Sequence, residues 1–194
     1  MMDASVLTNA SAADRSATDF YPTPPEATFA VAQWLNLYEK TVWEPACGAG
    51  HMSRALSECG AKVISSELHG QGFGIEGIDY LEAPLPDGVD FIVTNPPFKL
   101  AEQFIKRSFI HGVPFAMLLK SQYWHSAKRR ALFELRRPRA VLPLTWRPDF
   151  HFGSKGGSPT MECIWTVWDA APSDFTIYAP LVRASQAVKQ GENP

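Results

Sequence analysis

The residues with the most chemistry to offer are Asn95-Pro96-Pro97-Phe98, which follow directly on Asp90-Phe91-Ile92-Val93-Thr94. The apolar run Phe91 to Val93 predicts a short buried parallel strand that delivers the tetrapeptide to its C-terminal edge. Ligands of open α/β sheets bind at that edge. The two prolines fix φ and remove two backbone donors, so the loop is stiff and presents carbonyls. Asn95 adds a side-chain acceptor and an amide donor, and Phe98 adds a flat apolar face. The exocyclic amine of a planar base needs such a set. The Asn95 side chain and the Pro96 carbonyl would accept its two hydrogens while Phe98 stacks on the ring. Holding both hydrogens draws the nitrogen toward tetrahedral geometry and aims its lone pair at an electrophile. The plainer reading is a Pro-rich turn closing a core strand.

A second constellation suits a nucleotide-like ligand. Thr41 to Pro45 predicts a strand, followed by Ala46-Cys47-Gly48-Ala49-Gly50 and a helix of about ten residues from His51. Glycines there allow a tight turn and close backbone approach to a ligand. The pattern is neither the G-x-G-x-x-G dinucleotide fingerprint nor a P-loop, which needs Gly-Lys-Ser/Thr. Ala61 to Ser66 predicts the next strand, ending at Glu67, whose carboxylate is placed to accept both hydroxyls of a ribose. Upstream, Thr23 reads as the N-cap of a helix with Pro24 and Pro25 in its first turn and Glu26 completing a capping box. That helix would run through Phe29, Val31, Trp34 and Leu37, and its positive N-terminus could hold a carboxylate.

The remaining elements position these groups. Three predicted strands (41–45, 61–66, 89–94) alternate with helices, which makes the class α/β with a mostly parallel sheet. Residues 101–110 are amphipathic, and 113–119 predict a strand ending at Lys120. Ser121 to His125 lead into a basic helix where Lys128, Arg129, Arg130, Arg136 and Arg137 alternate with Leu132, Phe133 and Leu135. Basic residues interleaved with aromatics fit a phosphate-contacting surface. Trp124 fits either that surface or the core. Residues 139–145 and 161–168 predict further strands. Between them, Arg147, Phe150, Phe152 and Lys155 make a basic, aromatic loop. Gly70, Gly72, Gly74 and Gly77 read as a flexible loop. Residues 1–18 read as a disordered tail, and those from about 185 to 194 as a frayed helix or tail, around one domain, 19–184.

Composition bounds the rest. With 194 residues, 45% hydrophobic and 20% charged, the chain suits one domain with a full core. No apolar run is long enough for a bilayer and no signal peptide is evident, so a cytoplasmic protein without membrane partners is expected. Cys47, Cys59 and Cys163 lack metal-ligand spacing and read as reduced thiols, and no metal site is expected. The net charge of −2 hides an asymmetry. Residues 1–98 hold 4 Lys/Arg against 13 Asp/Glu, and residues 99–155 hold 12 against 3. Segments at −9 and +9 suggest one face for a cofactor and another for a polyanion, although solvated helix faces would give the same counts.

Asn95-Pro96-Pro97-Phe98 after a strand resembles motif IV of the S-adenosylmethionine-dependent amino-methyltransferases, in the adenine-N6 branch. Glu44-Pro45-Ala46-Cys47-Gly48-Ala49-Gly50 resembles their motif I, and Tyr21-Pro22-Thr23-Pro24 their motif X. The likeness spans about residues 19–169 and is nearest to small phage or prophage DNA adenine-N6 methyltransferases. It implies a Rossmann-like seven-stranded, mostly parallel sheet with an antiparallel last strand. It also implies S-adenosylmethionine as cofactor, released as S-adenosylhomocysteine. By resemblance, Tyr21, Thr23, Pro24, Glu44, Ala46, Gly48, Gly50, Glu67 and Asn95 would hold that cofactor. Asp79 would accept from its adenine amine, and Tyr80 or Leu68 would flank the ring. Phe150 or Phe152, at the position of motif VIII, would pack the other face of the target base.

The implied reaction is methyl transfer to the N6 amine of adenine in DNA, duplex or single-stranded. The base first leaves the stack, at a cost of a few kcal/mol. Asn95, Pro96, Pro97 and Phe98 would be catalytic. Lys120, Trp124, Lys128, Arg129, Arg130, Arg147, Phe150, Phe152 and Lys155 would contact the nucleic acid. No insertion is large enough for a target-recognition domain. The enzyme would therefore read a short site, read none, or borrow specificity from a partner or a second copy of itself. RNA adenine or a protein glutamine amide would suit the same tetrapeptide. An accessory nucleic-acid-binding protein that has lost catalysis is a further reading.

Overall fold

Alternation along the buried strands decides how the layers stack. Val42, Phe91, Val93, Ala116 and Leu118 face one side of the sheet, and Trp43, Ile92, Phe115, Met117 and Leu119 face the other. A strand sends successive side chains to opposite faces, so runs that are apolar throughout need cover on both. In the computed structural model, which describes residues 21–152 and 158–184, helices supply that cover. The helices α1 (Pro25–Leu35) and α2 (His51–Glu58) pack on the first face, and α3 (Ala101–His111) and α4 (Arg130–Leu135) on the second. Residues 1–20, 153–157 and 185–194, and with them both expected tails and Lys155, lie outside the described residues.

The sheet has eight strands: β1 (Thr41–Glu44), β2 (Lys62–Glu67), β3 (Ile75–Glu76), β4 (Phe91–Thr94), β5 (Phe115–Lys120), β6 (Ala140–Pro143), β7 (Cys163–Trp168) and β8 (Ile177–Tyr178). Their order is β3-β2-β1-β4-β5-β7-β6-β8. All run parallel except β7, which pairs antiparallel with both β5 and β6. The mostly parallel sheet with one antiparallel strand is thus present. Counting the two-residue edge strands β3 and β8, the sheet has eight strands against the expected seven, and six without them. The chain runs outward from β1 to β2 and β3, then returns to place β4 on the other side of β1. That reversal opens a crevice at the C-terminal edges of β1 and β4. The loops after both strands enter it.

Two local expectations change. Thr23 is not an N-cap: α1 starts at Pro25, and the residue in the cap position, Pro24, is extended at ψ 137° with no side-chain cap bond. A residue preceding proline is pushed out of the helical region, which explains the shift. Glu26 pairs with Arg183 at 2.8 Å instead of closing a capping box. The glycine-rich stretch is also packed more tightly than a flexible loop. A Cβ on Gly74, at φ +76°, would meet Cys47 Sγ and the Ser65 carbonyl oxygen, each at 2.8 Å. Gly74→Ala is therefore expected to cost about 2–4 kcal/mol in urea denaturation, from backbone strain plus overpacking. Gly72→Ala has a similar φ of +73° but open space around it, and should cost only the backbone share.

Candidate active site

The crevice is built by three segments. The strand β4 is buried along its whole length and ends at Asn95-Pro96-Pro97-Phe98. The strand β1 ends at Glu44 and turns through Ala46 to Gly50 into α2. Tyr21 to Thr23 cross over the top before α1 begins. Together with Glu67 they line one cavity, so Tyr21, Thr23, Glu44, Ala46, Glu67 and Asn95 to Phe98 meet there. Sequence reading missed Pro22, Cys47, His51, Met52, His69 and Gln71, which also line it. His51 was within reach of inference, since the first residue of a helix behind a Gly loop faces the same space. His69 and Gln71 carried no periodic signal.

Asn95 is fixed by two hydrogen bonds from one end of its amide. Its Nδ2 donates to the Tyr21 carbonyl at 3.2 Å and to Thr23 Oγ1 at 3.1 Å. A carbonyl accepts only from a donor, so these bonds set which way the amide faces. The other end, Oδ1, is buried and has no partner among the described residues. A buried acceptor left without a donor costs about 1–3 kcal/mol, and a ligand N–H would remove that cost. The Thr23 hydroxyl thus serves Asn95 rather than the helix.

Glu67 fits the expectation of a strand-end carboxylate at the cavity. Its Oε2 accepts from the Gly48 N–H at 2.9 Å and its Oε1 from the Leu68 N–H at 2.9 Å. Those bonds hold the carboxylate in place and leave it further lone pairs for ligand hydroxyls. Glu44 is of another kind. It is fully buried, with Ser53 Oγ donating to Oε2, and Ser53 in turn lies 2.6 Å from Ser65 Oγ. Desolvation pushes its carboxyl up from 4.5 to about 8, against the lowering pull of the Ser53 bonds. Burial likewise pushes the Cys47 thiol up to about 12, so this cavity-lining sulfur stays protonated and is no nucleophile. All three cysteines are free and buried, and no metal-binding cluster occurs among the described residues.

Other expected site residues lie elsewhere. Tyr80 is 2% exposed and bonds Ser108 through its hydroxyl in the core behind the sheet, between Trp43 and Phe104. It cannot flank a ligand in the cavity, because the apolar face it covers needs it. Asp79 Oδ1 accepts from the Leu81 N–H at 2.9 Å, and Leu68 is exposed, and neither lines the cavity. Gly48 and Gly50 shape the loop instead of walling the space. Phe150 is buried beside Tyr21, with ring centroids 6.0 Å apart, so its faces are already covered. Phe152 is exposed and stacks on His51 at 5.3 Å.

The basic residues are largely tied down within the protein. Arg129 donates to the Tyr123 carbonyl and lies over its ring, Arg130 pairs with Glu134, and Arg147 pairs with Glu162. Trp124 stacks on Phe133 at 4.3 Å and so packs with the core. Lys128 is exposed. Arg147 also borders a wider, open groove of about 600 Å³ at the same sheet edge, with Ser121 and Trp146. No helix among the described residues is long and apolar enough to cross a membrane.

Comparison with known proteins gives likeness of structure alone. No family model matches the chain, and no curated protein matches it by sequence. A protein from Pyrococcus horikoshii, named for a proposed RNA methyltransferase activity, superposes with a TM-score of 0.61 at 17% identity, over 78% of this chain and 87% of its own. A modification subunit of a proposed type I restriction enzyme from Vibrio vulnificus gives 0.55 at 17%, over 91% of this chain and 49% of its own. The E. cuniculi complex responsible for methylating a translation termination factor gives 0.51 at 17%, over 77% and 96%. The α/β sheet, mostly parallel with antiparallel β7, has the Rossmann-like fold of class I methyltransferases.

Proposed function

We propose that this protein is an S-adenosylmethionine-dependent methyltransferase acting on the N6 amine of adenine in DNA. The observation that carries the reading is Asn95 Oδ1. It is a buried acceptor without a partner, held by two bonds on its far side and followed by Pro96, whose ring removes its own N–H and leaves the carbonyl. Asn95 and Pro96 would take the two hydrogens of the amine, and Phe98 would stack on the base.

The cavity also suits the cofactor. Glu67 would hold the ribose hydroxyls, the loop from Ala46 to Gly50 would run along the ligand, and Glu44 lies beneath a region where positive charge would settle. S-adenosylmethionine bound there supplies an electrophilic methyl group whose sulfur leaves uncharged. The protein's task is then to hold and align the amine, and alignment supplies much of the rate. Glu67→Ala is expected to weaken cofactor affinity about tenfold by calorimetry. Unchanged affinity would remove the ribose assignment.

What favours a nucleic acid over a peptide amide is the excess of Lys/Arg over residues 99–155. The deciding assay supplies methyl-labelled cofactor with duplex DNA, single-stranded DNA and RNA of mixed sequence, followed by nucleoside mass spectrometry. N6-methyladenine in DNA is the expected product. Label confined to RNA would replace the substrate, and no label in any of them would remove the reading.

A further inference from the structure

Two buried polar atoms in the cavity lining have no partner among the described residues, Asn95 Oδ1 and His51 Nδ1. The first is matched to the target amine. The second belongs to the first residue of α2, directly behind the loop from Ala46 to Gly50. Its ring stacks on Phe152, with centroids 5.3 Å apart and planes 30° from parallel. Burial, and after it the Arg54 charge, hold the ring below the ordinary histidine value. At neutral pH the imidazole is therefore uncharged, and one of its nitrogens carries a hydrogen. A nitrogen shut off from water without a partner carries a desolvation cost that a ligand group would remove.

What that group is follows from the rest of the lining. It holds two carboxyls, Glu44 and Glu67, and no lysine or arginine. Arg54 is engaged elsewhere, donating to the Ala49 carbonyl at 2.8 Å and lying over the Phe73 ring. S-adenosylmethionine brings ribose hydroxyls, an ammonium and a carboxylate. Glu67 and Glu44 offer acceptors for the first two and repel the third. A carboxylate needs a donor, and the free N–H groups at the start of α2 make that end of the helix favourable to an anion. His51 Nδ1 stands at that end, and a carboxylate would select the tautomer with its hydrogen there.

Strand order brings the two into reach. The strands β2, β1 and β4 are consecutive in the sheet. A ribose on Glu67 at the tip of β2, and a methyl group aimed at an amine on Asn95 at the tip of β4, make the cofactor cross the tip of β1. The helix α2 starts from there. His69 and Gln71 follow Glu67 and so belong to the ribose side.

We propose that His51 is a cofactor-binding residue, whose Nδ1–H holds the carboxylate at the amino-acid end of S-adenosylmethionine. This rests on the methyltransferase reading and adds the one contact that the acidic lining lacks.

The test is calorimetry on the full chain and on H51F, H51A and H51N, each checked for folding by thermal melting. The ligands are S-adenosylhomocysteine and its analogue that keeps the amine but lacks the carboxyl group. Wild type should prefer S-adenosylhomocysteine by about tenfold, the size of one charge-assisted hydrogen bond. H51F keeps an aromatic ring against Phe152 and H51A removes it, and both should lose that preference while binding the analogue within about twofold of wild type. H51N places an amide nitrogen where Nδ1 stood and should keep the preference within about threefold. Equal affinity of wild type for the two ligands overturns the inference without any variant. So does an equal loss for both ligands in folded H51F or H51A, or an H51N as weak as H51F. Each of these leaves the methyltransferase reading intact, whereas a wild-type chain that binds neither ligand overturns both.

Discussion

Asn95→Ala should lower kcat by about 10²–10⁴-fold while cofactor affinity stays within a few-fold. The substitution removes the acceptor expected to hold the amine and frees the Tyr21 carbonyl and Thr23 hydroxyl that Nδ2 now ties. Both effects act on alignment of the target, and neither removes Glu67 or the loop before α2. Asn95→Asp separates them. It retains an acceptor but sets a carboxylate against the Tyr21 carbonyl, so the tether is lost and kcat should fall between wild type and Asn95→Ala. Single-turnover methyl transfer and calorimetry with S-adenosylhomocysteine measure the two quantities. Near-normal turnover in Asn95→Ala would remove Asn95 from the mechanism.

The second large effect belongs to Glu44. Its folded-state value of about 8 stands above the 4.5 of an ordinary glutamate because burial disfavours the charged form. Between those values the unfolded chain ionises this group while the folded one keeps its proton. Stability therefore falls as pH rises through the interval, by about 1.4 kcal/mol per unit, and levels off above about 8. The full penalty is on the order of 5 kcal/mol, with about 3 kcal/mol already present at pH 7. Glu44→Gln should match wild type near pH 4 and exceed it increasingly up to pH 8 in thermal melts. Identical pH profiles would show that the carboxyl is not held protonated. A positively charged ligand beside Glu44 would favour the carboxylate, so S-adenosylmethionine should release protons as it binds near pH 7. Calorimetry in buffers of different ionisation heat detects that release, and Glu44→Gln should abolish it.

Much of this architecture can be read from residues because its strands are short, apolar throughout and punctuated by proline and glycine. The apolar runs within 89–94 and 113–119 read as strands and are found as Phe91–Thr94 and Phe115–Lys120, with the stiff tetrapeptide following the first of them. Adjacency in the chain misled where an alternative partner was remote. Thr23 looks like a helix cap in isolation, but Asn95, more than seventy positions away, has the stronger claim on its hydroxyl. Tyr80 follows Asp79 and so looked like a ligand neighbour, but Trp43, Phe104 and His111 form a pocket for its ring on the opposite face. A charge count alone does not show that Arg129, Arg130 and Arg147 have partners within the protein.

The placement of β7 bears on how the polypeptide emerges from the ribosome. Its residues Cys163–Trp168 fill the slot between β5 and β6, which were synthesised earlier. Until Trp168 clears the exit tunnel, Phe115 to Leu119 form a bare hydrophobic edge with no strand to pair it. Indoles arriving late on β7, Trp165 and Trp168, then complete both layers of the core in one step. Nascent chains halted before about residue 160 should therefore bind chaperones and aggregate on release, and protease resistance should appear abruptly once β7 has been made.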